Sequence, residues 1–353
     1  AFAVWGGTIG GMAALGPLVG GWLTTYATWH WAFFVNLPIS LIVIFGARAT
    51  MPESRDEATG TGIDIPGIVL STAGLAGVVF ALIEGAHYGW ITQLRALTIG
   101  PLTWSAGHMS VPLLAAIEGV ICILAFIVIE RQRASAGKPL LLDLRLFAIR
   151  SFRMGNIVAI IVSLGEFGLL FVLPLFVQGV LGYDPMQTGV LLLALAAGSF
   201  LASGMGARLA QRSGAVRVLQ LGMALEAIGI AGIGFALSSD ATRLVLAPEL
   251  FLYGLGIGFA TAQLTGVILR EVPLHVSGQA SAVQSTARQV GAAIGTAILG
   301  AMLSVATVHS VTSELLARGA SAAKASEFAE FVTNTSGQMI QFLILQPNGK
   351  AMV

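Results

Sequence analysis

A chain of 353 residues with 56% hydrophobic and 10% charged side chains holds more apolar surface than a soluble globule of that length can cover. Its formal net charge of +1 removes any bulk electrostatic case for nucleic acid as a partner. The single cysteine, Cys122, lies in an apolar run and excludes an intrachain disulfide, which leaves the redox compartment open.

A membrane-crossing helix needs about 20 mostly apolar residues to pass roughly 30 Å of hydrocarbon. Nine stretches satisfy that length: residues 4–24, 29–49, 65–85, 111–130, 154–178, 187–210, 216–237, 245–269 and 280–306. Charges, prolines and polar clusters separate them, where the backbone regains water. Runs such as Ile157–Leu164 and Val190–Ala197 lack the strict alternation of a transmembrane barrel strand. The expected fold class is therefore an all-α membrane protein of about nine transmembrane helices. Ala1 is not an initiator methionine, and no basic region precedes the first apolar run, so a signal peptide is a poor reading. Residues 341–346 are apolar but too short to span. The chain reads as a piece of a longer protein.

Lysine and arginine fix the expected orientation. With the N-terminus inside, thirteen of the eighteen basic residues fall on the cytoplasmic side, and Arg95, Arg243, Arg318, Lys324 and Lys350 fall on the other. The segment after residue 306 is then a hydrophilic tail outside.

Several residues stand out on physical grounds. Glu166 lies ten residues past Asn156, about 15 Å along a helix, so it is expected near the bilayer midplane. A carboxyl there is costly and is a functional candidate by default: it could hold and release a proton, and as an anion attract a cation. The alternative is a protonated glutamate bonded to a neighbouring helix. Glu226 is also deep, where a structural hydrogen bond is the simpler reading, and Glu118 ranks below both. Arg288 lies at least a turn inside its helix and needs a partner, which is a substrate, a carbonyl or an acid on another span.

Motifs of length and order carry a resemblance. Gly16-Pro17-Leu18-Val19-Gly20-Gly21, followed by Trp29-His30-Trp31-Ala32-Phe33-Phe34-Val35-Asn36-Leu37-Pro38, resembles the antiporter signature and following span of the major facilitator superfamily. In particular it is similar to the 14-span drug:proton antiporters, the EmrB/QacA group. Leu173 to Gln178 with Gly182-Tyr183 resembles the end of that group's ninth span. Gly206-Ala207-Arg208-Leu209 through Arg212, Gly214 and Arg217 resembles the second copy of the cytoplasmic loop motif, and Ser281 to Gly295 the start of the thirteenth span. Met12 departs from the signature, where glycine is frequent.

On this map residues 4–306 correspond to family spans five to thirteen. Residues 1–50 would be the last two spans of the N-terminal half, 51–135 two extra central spans, 136–306 the first five spans of the C-terminal half, and 307–353 an extracytoplasmic tail. The resemblance implies that the helix of Glu166 lines a central cavity. Gln178, Gln263 and Tyr253, with Thr261, Thr265 and Phe259, would complete a binding wall of polar and aromatic groups; interhelical bonding and lipid contact is the plainer reading of each. Gly16/Gly20, with Pro17 bending the helix, offers a flat face for close packing, or for packing and rocking together. Gly206, Arg208, Arg212, Gly214 and Arg217 would form a cytoplasmic gate loop, or simply obey the positive-inside rule.

No histidine spacing or phosphate-binding loop signals an enzyme or an ATP-driven pump, and no metal or cofactor is expected. The function implied is proton-coupled efflux of hydrophobic or cationic drugs across the inner (cytoplasmic) membrane. Its partners would be the small-molecule substrate, protons, the lipid bilayer and a periplasmic adaptor protein. The alternatives are export of one metabolite, lipid or siderophore on the same scaffold, or a non-transporting membrane scaffold.

Overall fold

A computed structural model describes residues 16, 18–51, 64–237 and 241–334. Helix α1 covers residues 18–26. It is followed by α2 (Trp31–Phe34), α3 (Asn36–Thr50), α4 (Ile65–Tyr88), α5 (Val111–Ser135), α6 (Arg150–Gly179), α7 (Pro185–Ser213), α8 (Ala215–Ala236), α9 (Arg243–Leu269), α10 (Ser277–Ala317) and α11 (Ala322–Asn334). Among the described residues, eight helical segments are long and apolar enough to cross a membrane. They correspond to the second to ninth expected spans; most of the first, with Pro17, lies outside the described residues.

Local chemistry explains where these helices start. Asp64 precedes Ile65-Pro66, and its carboxylate accepts from the Gly67 N–H at 3.0 Å. Asp184 precedes Pro185 and shares a reciprocal pair of bonds with Gln187. Each is an N-cap followed by proline in the first turn, where the missing N–H costs nothing. Replacing Asp184 by alanine is expected to cost about 1 kcal/mol, read as a lowered melting temperature in detergent.

The helices outrun the apolar segments, because capping rather than hydropathy ends a helix. The largest difference is α10: the span expected over 280–306 is a continuous helix to Ala317, and after Gly319 (φ 86°) α11 follows. The segment from residue 307, expected as a hydrophilic tail, is thus helical as far as Asn334. Between α4 and α5 a short antiparallel hairpin, β1 (Leu97–Ile99) and β2 (Leu102–Trp104), turns at Gly100, whose φ is 58°. Hydropathy gives no hint of it.

The expected gate loop is hardly a loop. α7 continues through Ser213, and Gly214 alone, at φ 91° and ψ 144°, turns the chain into α8. Arg208 and Arg212 occupy the last turns of α7, Arg217 the first turn of α8, and all three are exposed. That corner backbone belongs almost exclusively to glycine, so Gly214→Ala is expected to cost about 1–3 kcal/mol without removing a contact. A thermal melt compared with Ala215→Gly checks it.

The described residues fall into two compact units. One holds those within Ala1–Arg55, Leu173–Val267 and Ala306–Val353, the other those within Asp56–Val172 and Ile268–Val305.

In the first unit α9 packs between α7 and α8 through glycines that bring backbones together. A Cβ on Gly254 would stand 2.9 Å from Leu195 Cα, one on Gly222 2.6 Å from Ala260 N, and one on Gly229 2.7 Å from Tyr253 Cα. In the second unit α4 and α5 form a helical hairpin on the same principle, with Gly74 and Gly77 set against Gly119. In lipid, apolar burial does not drive helices together, and close backbone approach takes its place. The outward faces carry Ile117, Val120, Ile121, Leu124 and Val128, exposed as a lipid-facing surface would be.

Candidate functional site

The second unit contains a buried ion pair between helices. Arg288 Nη2 on α10 donates to Glu166 Oε2 on α6 at 3.1 Å, and the side chains are only 19% and 8% accessible. Gly291 of α10 lies against Ile160 of α6, and Gly295 against Leu164, so the two helices run parallel with their backbones in contact. On that register Arg288 lies roughly two and a half turns before the level of Glu166. A helical side chain leans toward its own N-terminus, so Glu166 leans back toward Arg288, and the long arginine extends against its own lean to meet it.

Glu166 also belongs to a buried stripe. Asn156, Ala159, Ser163 and Glu166 recur at helical spacing on α6, and all four are buried. The Asn156 amide donates to the Phe152 carbonyl at 2.8 Å. Asn156 Oδ1 and Ser163 Oγ have no hydrogen-bond partner among the described residues. Asn156 served in the sequence only as a depth marker, and Ser163 was not singled out. Their three-and-four spacing with Glu166 is the signal that would have found them.

The other expected site residues sit elsewhere. Gln178, Gln263 and Tyr253 belong to the first unit, the ion pair to the second. Gln178 and Gln263 are half-buried. Gly206 is buried beside α9, where a Cβ would stand 3.4 Å from Gln263 Nε2 and 3.4 Å from Phe259 Cδ1. The structure thus joins one residue of the expected gate to one of the expected wall.

Among the described residues, the two expected wall aromatics lie between helices. Tyr253 is fully buried against Gly229, and Phe259 is buried with Ala202 and Val218. The glycine contacts draw α7 and α8 onto α9, and the large rings fill the resulting core. Thr261 and Thr265 are buried on the same helix. Glu226 is buried with its stem near Gly256, as a residue in a helix interface would be. Of the antiporter signature, a Cβ on Gly16 or Gly20 meets nothing among the described residues, whereas Gly21 lies against Pro185 at the start of α7. Among the described residues, then, the close approach of α1 is made at Gly21, which faces a different direction around the helix from Gly16 and Gly20.

In this arrangement the Glu166 carboxylate and the Arg288 guanidinium balance each other's charge. With eight helical segments among the described residues long and apolar enough to cross a membrane, the fold is that of a multi-pass α-helical membrane protein. The chain belongs to the Major Facilitator Superfamily, whose sequence profile matches residues 1–296. It is 30% identical over 296 residues to a multidrug resistance protein B homolog of Mycobacterium tuberculosis, covering 84% of this chain and 51% of that protein. It is 33% identical over 311 residues to the puromycin resistance protein pur8 of Streptomyces alboniger, covering 87% and 57%. A tetracenomycin C resistance and export protein of Streptomyces glaucescens is 28% identical over 303 residues, covering 86% and 52%. The chain spans about half the length of these relatives.

Proposed function

We propose that this chain is the part of a proton-coupled drug exporter that carries its coupling carboxylate. The observation that carries the reading is the Glu166–Arg288 pair, an acid and a base buried against each other on two membrane-spanning helices. A proton arriving at Glu166 neutralises it and frees the guanidinium, and a departing proton restores the pair. Ser163 and Asn156 line the same face of α6 and give such a proton polar neighbours. Relatives named for multidrug resistance, for puromycin resistance and for tetracenomycin C resistance and export support drugs as the substrate class. The signature around Gly16–Gly21 and Trp29–Pro38 supports the 14-span antiporter subgroup, with the basic corner of Arg208, Arg212 and Arg217 on the cytoplasmic side of the cell's inner membrane.

In the paired state Glu166 already has a counter-ion, so a cationic drug must displace Arg288 to use it. Drug and proton then compete for one carboxylate, which is the requirement for antiport.

The test uses the full-length gene product in energised inverted vesicles with a pH-sensitive dye. Adding a hydrophobic cation should partly collapse the proton gradient in vesicles that contain the protein and not in those that lack it. Silence across a broad panel of cations, with folded protein present, would sink the drug reading in favour of one metabolite, lipid or siderophore.

A further inference from the structure

A second group of charged residues lies apart from this pair, where α4 begins and α5 ends. Asp64 and Glu130 are both almost fully buried, at 4% and 1% exposure. Because α4 and α5 run antiparallel, the N-cap of one stands beside the last turns of the other. Gly67 permits the approach: a Cβ there would lie 2.8 Å from Asp64 Cγ and 2.9 Å from Glu130 Oε1.

The surrounding donors are unevenly shared. Asp64 Oδ1 accepts from the Gly67 N–H at 3.0 Å and pairs with Arg133 Nε at 3.2 Å. Glu130 Oε1 accepts from the Leu141 N–H at 3.3 Å. The remaining oxygens, Asp64 Oδ2 and Glu130 Oε2, are buried and have no donor among the described residues. Yet the two carboxyl groups converge on the same point above Gly67, Asp64 Cγ at 2.8 Å and Glu130 Oε1 at 2.9 Å from where a Cβ would stand. Two ionised carboxylates would repel there, and each would leave an unsatisfied acceptor in a dry interior. One proton between them removes both difficulties, and the group Asp64⁻, Arg133⁺ and neutral Glu130 then carries no net charge.

We propose that Asp64 and Glu130 form a proton-binding site, holding one proton between their carboxyl groups and separate from the Glu166–Arg288 pair. Asp64 is the ionised member. Burial opposes its charge, but the Glu130 hydroxyl, the Gly67 N–H and the Arg133 guanidinium together hold its carboxyl below the usual carboxylate range. Glu130 is the protonated member and donates to Asp64.

Among the described residues, the groups around the site leave that proton no rival. On α5, Arg131 is exposed, and Arg133 is already engaged with Asp64 and with the Pro139 carbonyl through Nη2 at 2.8 Å. In the segment after α5, Lys138 is exposed, and Asp143 accepts from the Arg145 N–H at 2.9 Å. From α10 the neighbour is the uncharged Gln279, whose Oε1 accepts from the Asp143 N–H at 2.9 Å.

The site fastens a stretch of chain. Arg133 holds Pro139, Glu130 holds Leu141 and Gln279 holds Asp143, so the segment from residue 136 to 143 is tied at three points just before α6, the helix of Glu166. Loss of the proton would set two like charges against each other beneath that strap and loosen it.

Infrared spectroscopy of the full-length protein in lipid nanodiscs tests the proposal. At neutral pH the wild type minus Glu130→Gln difference spectrum should show one protonated-carboxyl stretching band. Asp64→Asn should lose the same band, because the amide then donates to an ionised Glu130. Glu166→Gln should keep it, which separates this site from the other acid. A difference spectrum without that band for both Glu130→Gln and Asp64→Asn overturns the proposal. Glu130→Gln keeps a neutral donor and should fold; Asp64→Asn provides an independent reading of the same proton.

Discussion

Replacing Arg288 by alanine should destabilise the protein by about 3 kcal/mol, because the change strands the Glu166 carboxylate in a buried setting without its counter-ion. The lower end of the range for broken buried pairs applies, since 19% of the arginine side chain remains accessible. Adding Glu166→Gln to the same chain should restore most of that loss, because the stranded charge is then gone. The double variant is expected to melt above Arg288→Ala alone, a non-additivity that coupled residues give and distant, independent ones do not. Melting of wild type, both single variants and the double variant in one detergent measures the cycle. Additive shifts would mean that the pair contributes nothing to stability.

Glu166→Gln should reduce drug-induced proton movement to background in the vesicle assay described above. Glutamine keeps the size and hydrogen-bonding ability of the side chain but cannot release a proton at any working pH. Exchange of labelled for unlabelled drug, which needs no net proton transfer, should survive. Loss of proton movement with exchange intact assigns Glu166 to coupling. Loss of both would make it a substrate contact, and loss of neither would reduce the pair to a structural brace. Glu166→Asp retains an ionisable group on a shorter stem and should keep part of the response, with Arg288 held less closely.

The spans were legible in the sequence because crossing hydrocarbon demands both length and apolarity, and little else in a chain this hydrophobic supplies separators. Helix ends were less so: Ser213 and Ala317 lie well past the apolar runs, since a helix stops where its caps allow. Glu166 and Arg288 each stood out singly, as charges that ought not to be inside a membrane. Their partnership did not, because 122 residues separate them and no local pattern relates one helix face to another. Asp64 and Glu130 carry no such mark, for the opposite reason. Each sits at the edge of an apolar run, where a charge is ordinarily solvated, and only the antiparallel pairing of α4 and α5 buries both. The Gly16/Gly20 spacing stated which glycines share a face but not which neighbour that face meets. For Tyr253 and Phe259 the sequence is silent, because an aromatic on a membrane helix has no mark distinguishing core from wall.

The glycine contacts between α6 and α10 repeat every four residues, so the packing has a period of one helical turn. Sliding α10 by one turn toward the level of Glu166 would set Ala287, Gly291 and Gly295 against Ile160, Leu164 and Gly168. Small residues again meet backbone in that arrangement. Close packing along this groove therefore fixes its grain but not its setting, as the teeth of a rack accept a pinion at any notch. Which notch is occupied is left to the groups that do not repeat, among them Leu299 beside Gly168, Gln279 accepting from the Asp143 N–H, and the Arg288–Glu166 pair.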